Sequence, residues 1–223
     1  MITYEQFIRE GVYDPNIFKA VFMAGGPGSG KSFIAGKTTG GLGLKVINSD
    51  APFERFLKKE GLSLKMPDSE TLERDIERER AKKVTASKKF HAVKGRLGII
   101  IDGTGHKYDK VADQAKMLQQ LGYETSMVFV NTSLEVALAR NEQRARSVKP
   151  TLVKKSWQDV QNNMGKFQQF FGPKNFFIVD NNGVEEDMLE ISTKSIRRAI
   201  AKPVKNVIAA AWITNELKKK DRS

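Results

Sequence analysis

The sequence predicts an α/β fold, a three-layer sandwich in which helices cover both faces of a mostly parallel five-stranded sheet. Two observations lead to this prediction. Short apolar runs alternate with longer segments that favour helix, which is the order expected when each strand joins a parallel neighbour through a helix. A glycine-rich stretch also stands between the first apolar run and the first helical segment, so the chain turns sharply where the first strand ends.

Five apolar runs account for the strands. The cleanest is residues 97–101, which contains only apolar residues and one glycine and is typical of a strand buried on both faces. The others are residues 19–24, 44–48, 125–130 and 175–180. The predicted helices cover residues 4–10, a segment from Lys31 that Gly40, Gly41 and Gly43 close, a segment from Ala51, and residues 69–95, 110–121, 134–142, 152–170, 185–201 and 203–220, with Thr151 as the cap of the seventh.

The predicted helix 69–95 is unusually rich in charge. Its few large apolar residues predict that it packs on one narrow face and leaves the other in water. Those residues are Leu72, Ile76, Val84 and Phe90. His91 lies on the same segment and is expected to be an ordinary surface residue, because nothing around it suggests a catalytic triad.

Residues 25–32 match the P-loop pattern G-x-x-x-x-G-K-[ST]. Glycines let successive backbone N–H groups turn inward around an anion, and the following helix adds its positive N-terminal end. Lys31 is expected to reach the β and γ phosphates, and the Ser32 hydroxyl to bind Mg²⁺. The predicted cofactors are ATP or GTP with Mg²⁺, and the residues expected to contact the nucleotide are Gly26, Pro27, Gly28, Ser29, Gly30, Lys31, Ser32 and Phe33.

Acidic residues end two of the predicted strands. Asp50 follows the second strand and Asp102 the third, at the edge of a parallel sheet where ligands bind. Asp102 is expected to position Mg²⁺. Asp50 is a candidate catalytic residue, and the plainer alternative is that it caps the next helix. Thr104 and His106, just beyond Asp102, are candidate contacts for an acceptor substrate.

Three arginines lie near a chain reversal that ends at Pro150. Arg140, Arg144 and Arg146 would be hard to bury in a core, and they are typical of a lid that closes over phosphates and neutralises charge during phosphoryl transfer. The sequence thus predicts three parts: an N-terminal helical extension (1–18), a core (19–183) whose lid lies near 140–151, and C-terminal helices (184–223) packed on that core.

Composition narrows the functional classes. With no cysteine and only two histidines, disulfides and a thiolate or histidine zinc site are excluded. The polar, acidic N-terminus and the lack of a long apolar run favour a cytoplasmic protein without a membrane partner. The formal net charge is +12 and concentrates in residues 80–96, 140–155 and 194–220. Such blocks can be solvated helix faces, but beside a phosphate loop they favour nucleotides or nucleic acid as partners.

The sequence resembles P-loop kinases of the zeta-toxin and phage polynucleotide-kinase group. The resemblance covers residues 19–182 and rests on the P-loop, on residues 46–50, 101–106 and 117–125, and on Arg140-Asn141 with Arg144 and Pro150. It implies that Asp50 accepts the proton of the acceptor hydroxyl and that Arg140, with Arg144 or Arg146, contacts the phosphates. Zeta toxins carry glutamate at the position of Asp102 and arginine at that of His106.

These observations together predict a kinase that transfers the γ-phosphoryl group of ATP to a hydroxyl of a nucleic acid or nucleotide. In a polymer, the hydroxyl would be a 5′-hydroxyl or one on a modified base. The first alternative is a zeta-toxin-like kinase of a UDP-sugar. The second is a nucleotide-dependent nucleic-acid-binding switch without an acceptor, although the N-K-x-D motif of switch GTPases is missing.

Overall fold

The computed structural model describes residues 11–39, 42–183 and 185–220. The predicted helix 4–10 and the predicted glycine helix end at Gly40 and Gly41 lie outside the described residues. Five strands form one sheet in the order β2-β3-β1-β4-β5, and every neighbouring pair is parallel. The strands are β1 (Lys19–Ala24), β2 (Lys45–Ile47), β3 (Ile99–Asp102), β4 (Glu124–Asn131) and β5 (Phe176–Asp180).

The helices follow the predicted alternation with the strands. Two short 3₁₀ turns, Gly11–Tyr13 and Asp68–Glu70, precede β1 and the longest helix. The α-helices within the described residues are α1 (Lys31–Thr39), α2 (Asp50–Lys59), α3 (Thr71–Lys94), α4 (Tyr108–Gln120), α5 (Leu134–Gln143), α6 (Pro150–Phe171), α7 (Glu185–Ile200) and α8 (Val207–Lys220).

Two hydrophobic clusters lie on opposite faces of the sheet, because alternate side chains of a strand point to opposite sides. On one face, Phe22 and Phe129 pack with residues of α3, α4, α6 and α8. On the other, Val21 and Val128 pack with residues of α1 and α7, including the buried Ile196. The predicted α/β three-layer sandwich is confirmed. The division into parts ending at residues 18 and 183 stays a prediction.

The packing face of α3 differs from the sequence prediction. Leu72, Ile76, Val84 and Phe90 are 73%, 60%, 42% and 63% exposed, whereas the residues that α3 buries are Glu77, Ala81 and Ala92. Ala81 and Ala92 are eleven residues apart, about three helical turns, and so lie on one line along the helix. Their small side chains let α3 approach its neighbours closely, and this close contact turns the larger apolar side chains outward.

The start of α6 is the second difference. Thr151 is not its cap: Lys149 occupies the position before the helix and Pro150 begins it. Proline suits the first helical position because its missing N–H would have no partner there. Within the described residues, none of the helices combines the length and hydropathy that a membrane crossing requires.

Candidate active site

The P-loop connects β1 to α1 and needs glycine at two positions. Gly28 and Gly30 have φ angles of +81° and +84°, which side chains other than glycine rarely adopt. A Cβ on Gly28 would lie 2.2 Å from the carbonyl oxygen of Ala137, and one on Gly30 would lie 2.4 Å from Nδ2 of Asn181. The turn closes on itself where the Ser29 N–H donates to the Gly26 oxygen at 3.1 Å.

Residues distant in the sequence support this loop. Nδ2 of the buried Asn181 donates to the Ser29 carbonyl oxygen at 2.6 Å, and the Gly25 N–H donates to the Thr104 oxygen at 3.0 Å. Trp157 of α6 lies against Gly26 and donates its indole N–H to the Thr132 oxygen at 2.7 Å. The sequence analysis assigned no role to Asn181, and its place directly after the apolar run 175–180 was the one signal of a role at the sheet edge.

Lys31 is the first residue of α1 and lies close to the acidic residues of the site. Burial lowers the pKa of its amine most strongly; Asp102 and Asp50 oppose this effect, while Arg144 and Arg146 add to it. The structure therefore brings these four predicted residues into one electrostatic neighbourhood around Lys31. Ser32 follows Lys31 and is exposed.

Asp102 ends β3, and its two carboxylate oxygens differ in their hydrogen bonding. Nδ2 of Asn48, just beyond β2, donates to Oδ2 of Asp102, whereas the buried Oδ1 has no hydrogen-bond partner within the described residues. A hydroxyl and a free carboxylate oxygen are donors that Mg²⁺ prefers, so Ser32 and Asp102 fit the ion. The described residues contain no cluster of three or more acidic or histidine side chains suited to a metal, so phosphate and water oxygens would complete its coordination.

Asp50 is the first residue of α2, not its cap. Ser49 precedes the helix, and the Asp50 N–H is held by Oδ1 of Asn48. Two guanidinium groups reach the same oxygen of the Asp50 carboxylate: Nη2 of Arg146 at 3.1 Å and Nη1 of Arg78 at 3.2 Å. The carboxylate is still 45% exposed, so a substrate hydroxyl can approach it. Sequence reasoning missed Arg78, whose only signal was its place in a charged helix.

The three lid arginines occupy two different places. Arg140 and Arg144 border a cavity of about 200 Å³ above the P-loop, and Arg140 also donates to the Asn181 carbonyl oxygen at 2.9 Å. Arg146 is buried and turns instead to the acids of α2, with its Nε 2.9 Å from Oε1 of Glu54. The other residues lining the cavity are Gly28, Gly30, Lys31, Ser32 and Phe33.

The predicted acceptor contacts lie together on the loop after β3. The Thr104 hydroxyl and Nδ1 of His106 share a hydrogen bond, and Nδ2 of Asn163 donates to the carbonyl oxygens of Gly105 and His106, both at 3.0 Å. Burial lowers the pKa of the His106 imidazole, and Lys107 and Lys110 lower it further against the opposing effect of Asp159. A lower pKa favours the neutral imidazole, which can hydrogen-bond a substrate without adding charge.

Most residues of this site fall within a part of the chain that matches a known protein family. A family described as an AAA domain matches residues 21–166. The chain belongs to this family. The match runs from β1 into α6 and contains the P-loop, Asp50, Asp102 and the three lid arginines. A search of curated protein sequences found no match.

Solved structures show the fold that this AAA-domain protein shares with P-loop kinases. A gluconokinase from Sinorhizobium meliloti 1021 is 14% identical with a TM-score of 0.53, over 83% of this chain and 95% of that one. A structure of the PezAT chromosomal toxin–antitoxin system of Streptococcus pneumoniae is 16% identical with a TM-score of 0.54, over 81% and 87%. A chain from a structure of the Pnkp1/Rnl/Hen1 RNA repair complex is 22% identical with a TM-score of 0.51. The alignment covers 67% of this chain and 46% of that one.

Proposed function

We propose that this protein is a kinase that transfers the γ-phosphoryl group of ATP or GTP to a hydroxyl of a nucleic acid or nucleotide. The observation that carries the proposal is the position of the Asp50 carboxylate. Asp50 begins the helix after β2 and, like Asp102, acts electrostatically on Lys31 of the P-loop; an acid at this edge of the sheet can take a proton from an acceptor. A cytoplasmic setting is part of the proposal.

Positioning and charge neutralisation account for most of the proposed catalysis. The loop N–H groups and Lys31 bind the β and γ phosphates, and Arg140 and Arg144 face the same cavity from the lid side. Ser32 and Asp102 would hold Mg²⁺, which would supply positive charge that neutralises the phosphates. Asp50 orients the acceptor hydroxyl and receives its proton as the new O–P bond forms and the bond to the nucleoside diphosphate breaks.

The strongly basic chain favours a polymeric acceptor, offering a 5′-hydroxyl or a hydroxyl on a modified base. The similarity to a structure from an RNA repair complex supports this choice. A kinase of a UDP-sugar is the second candidate, supported by the similarity to the PezAT structure and the zeta-toxin resemblance. A nucleotide-dependent binding switch without an acceptor is the third, and the accessible Asp50 carboxylate argues against it.

A transfer assay with γ-labelled ATP and Mg²⁺ distinguishes the three. The acceptors are 5′-hydroxyl DNA and RNA, DNA with hydroxymethylated bases, free nucleosides and nucleotides, and UDP-sugars. Label on a polymer or nucleotide is the expected result. Label on a UDP-sugar alone would favour the second candidate, and bound ATP without any labelled acceptor would overturn the kinase assignment.

The variant Asp50→Asn tests the proposed base. A positioned general base contributes about 10²- to 10⁴-fold, so transfer should fall by roughly that factor while ATP affinity stays nearly unchanged. Asp113→Asn is the matched control, because it makes the same chemical change at an exposed position of α4. Full transfer by Asp50→Asn would show that another group takes the proton.

A further inference from the structure

A line of basic side chains begins at the candidate base and runs along α3. Arg78, Lys82 and Lys89 are spaced by four and then seven residues, so they lie on one side of the helix over about 16 Å. Arg78 reaches Asp50 at 3.2 Å, and the ammonium of Lys82 is bonded to Glu79. The line therefore leads from the proposed site of transfer to the second half of the helix.

The Lys89 amine interacts electrostatically with Lys110 of α4. Burial and the neighbouring Lys110 both lower the pKa of the Lys89 amine. Tyr108 packs on Phe167 and Phe170 of α6, and Lys110, two residues later, is about 200° around the helix from it. Lys110 thus lies on the side of α4 away from α6.

These residues join the loop after β3. Lys107 and Lys110 act electrostatically on His106, one of the candidate acceptor contacts. Basic side chains therefore extend from the Asp50 end of α3 towards the loop that carries Thr104 and His106. We call this region the α3–α4 surface and define it by Arg78, Lys82, Lys89, Phe90, Lys107 and Lys110.

The outer cations of this surface lack ion-pair partners in the part of the chain that the structure describes. Within the described residues, Lys89, Lys107 and Lys110 make no ion pair, and neither do Lys83, Lys88 and Lys94 nearby. Residues 83–94 contain no acidic side chain at all. Like charges held close together repel one another, and a chain of phosphates passing over them would remove this repulsion and release its own counter-ions.

An aromatic side chain stands among these cations. Phe90 is 63% exposed and lies about 100° around the helix from Lys89, on the same side as Lys83 and Lys94. The edge of its ring contacts His91 with 5.4 Å between the ring centroids. Exposed aromatic rings beside basic residues are the pattern by which proteins bind single strands, because any base can stack on the ring while lysines contact phosphates.

We propose that the α3–α4 surface binds a single-stranded nucleic acid and leads its acceptor hydroxyl to Asp50. This inference rests on the proposed kinase function with a polymeric acceptor. The lysines contact phosphates along the strand and Phe90 stacks on a base. A small acceptor, in contrast, touches only the residues around Asp50, Thr104 and His106.

Fluorescence anisotropy with a short 5′-hydroxyl oligonucleotide, labelled at its 3′ end, tests the surface over a range of salt concentrations. Lys89→Gln/Lys110→Gln should weaken binding about tenfold near physiological salt and reduce the slope of log K against log salt by about 1.4, since each phosphate contact adds about 0.7 for single strands. Phe90→Ala should weaken binding roughly tenfold and leave the slope unchanged, because stacking releases no counter-ions.

Lys218→Gln/Lys219→Gln in the last turn of α8 is the matched control and should bind like the parent protein. An equal loss in this control would overturn the assignment to α3–α4 and indicate binding by basic charge in general. Competition by polyglutamate as strong as that by unlabelled oligonucleotide would overturn it as well, because polyglutamate has no bases to stack. Circular dichroism of each variant verifies that the helices persist.

Transfer kinetics separate failure of this inference from failure of the proposed function. In Phe90→Ala, which changes no group acting on His106, KM for the oligonucleotide should rise while transfer to a free nucleotide stays unchanged. If the parent protein transfers phosphate but the α3–α4 variants bind the oligonucleotide as well as the parent does, the proposed binding role of the surface is wrong and the kinase function stands. Variant-sensitive binding without transfer to any acceptor would retain the surface and overturn the kinase.

Discussion

The two halves of α3 carry similar numbers of cations but use them differently. In residues 71–82, Arg78 pairs with Asp50, Arg80 with Glu60 and Glu77, and Lys82 with Glu79. Arg78 also lies over the Phe53 ring, 3.7 Å from its centroid. In residues 83–94, the four lysines make no ion pair within the described part of the chain. Charge content alone therefore does not reveal what a helix does.

This difference follows from what each half packs against. The first half lies beside α2, whose acids and aromatic rings provide partners for arginine. The second half runs along the sheet, where Ala92 enters the core and Val93 packs beside it. Lys83, Lys88 and Lys94 are exposed, and Lys89 is half-buried. Thr85 marks the boundary, since its hydroxyl donates to the carbonyl oxygens of Ala81 at 2.8 Å and Asn48 at 3.3 Å. The first half thus uses its cations to hold neighbouring acids, whereas the lysines of the second half remain without ion pairs within the described residues.

Within α3, the largest effect is expected where the helix is packed most closely. Ala81 is fully buried, so Ala81→Leu should lower the free energy of unfolding by about 1–3 kcal/mol through overpacking. Ala86→Leu, the same change at an exposed position of the helix, should stay within about 0.5 kcal/mol. Urea denaturation measures both. Equal effects would mean that Ala81 is not the point of close contact.

The next largest effect on the free energy of unfolding is expected in the charged cluster around Asp50, which Arg78 of the first half joins. Arg146→Ala removes a side chain that is 9% exposed and leaves Asp50 and Glu54 without that partner. Because both carboxylates remain partly in water, the expected loss of unfolding free energy is about 1–2 kcal/mol, less than for a fully buried pair. The control, Lys149→Ala, breaks an exposed pair with Asp68 and should cost less than about 0.5 kcal/mol.

Arg78→Ala should have a smaller effect of about 1 kcal/mol. It removes the cation–π contact with Phe53 and one of the two ion pairs to Asp50. Lys94→Ala in the second half should change the unfolding free energy by no more than about 0.5 kcal/mol. If thermal or urea denaturation gave the two variants the same stability, the difference in ion pairing between the two halves would make no contribution to the free energy of unfolding.

The smallest effects are expected at the outward apolar residues. Leu72→Ser and Phe90→Ser should each change the unfolding free energy by less than about 0.5 kcal/mol, because both side chains are mostly exposed. Leu57→Ala, at a fully buried position of α2, should cost about 2–5 kcal/mol in the same denaturation series. A comparable loss for Leu72→Ser or Phe90→Ser would show that these side chains pack against the core, as the sequence predicted.

The strand–loop–helix unit at the P-loop was predictable because its constraints are local. Gly28 and Gly30 need positive φ angles, and the apolar run before them needs burial on both faces, so neighbouring residues suffice to specify the turn. The sheet-edge positions of Asp50 and Asp102 also follow from the ends of predicted strands. These features determined the α/β class, the nucleotide site and its candidate acid residues.

Only the tertiary structure decided which partners these residues have. Asn181 reaches Ser29 across 152 residues of sequence, and Arg78 reaches Asp50 across 28. Arg146 turns to the acids of α2 while Arg140 and Arg144 border the P-loop cavity. Such choices depend on how separate elements pack, and helix periodicity contains no information on where a neighbour's charge lies. For the same reason, two alanines rather than the large apolar residues became the packing face of α3.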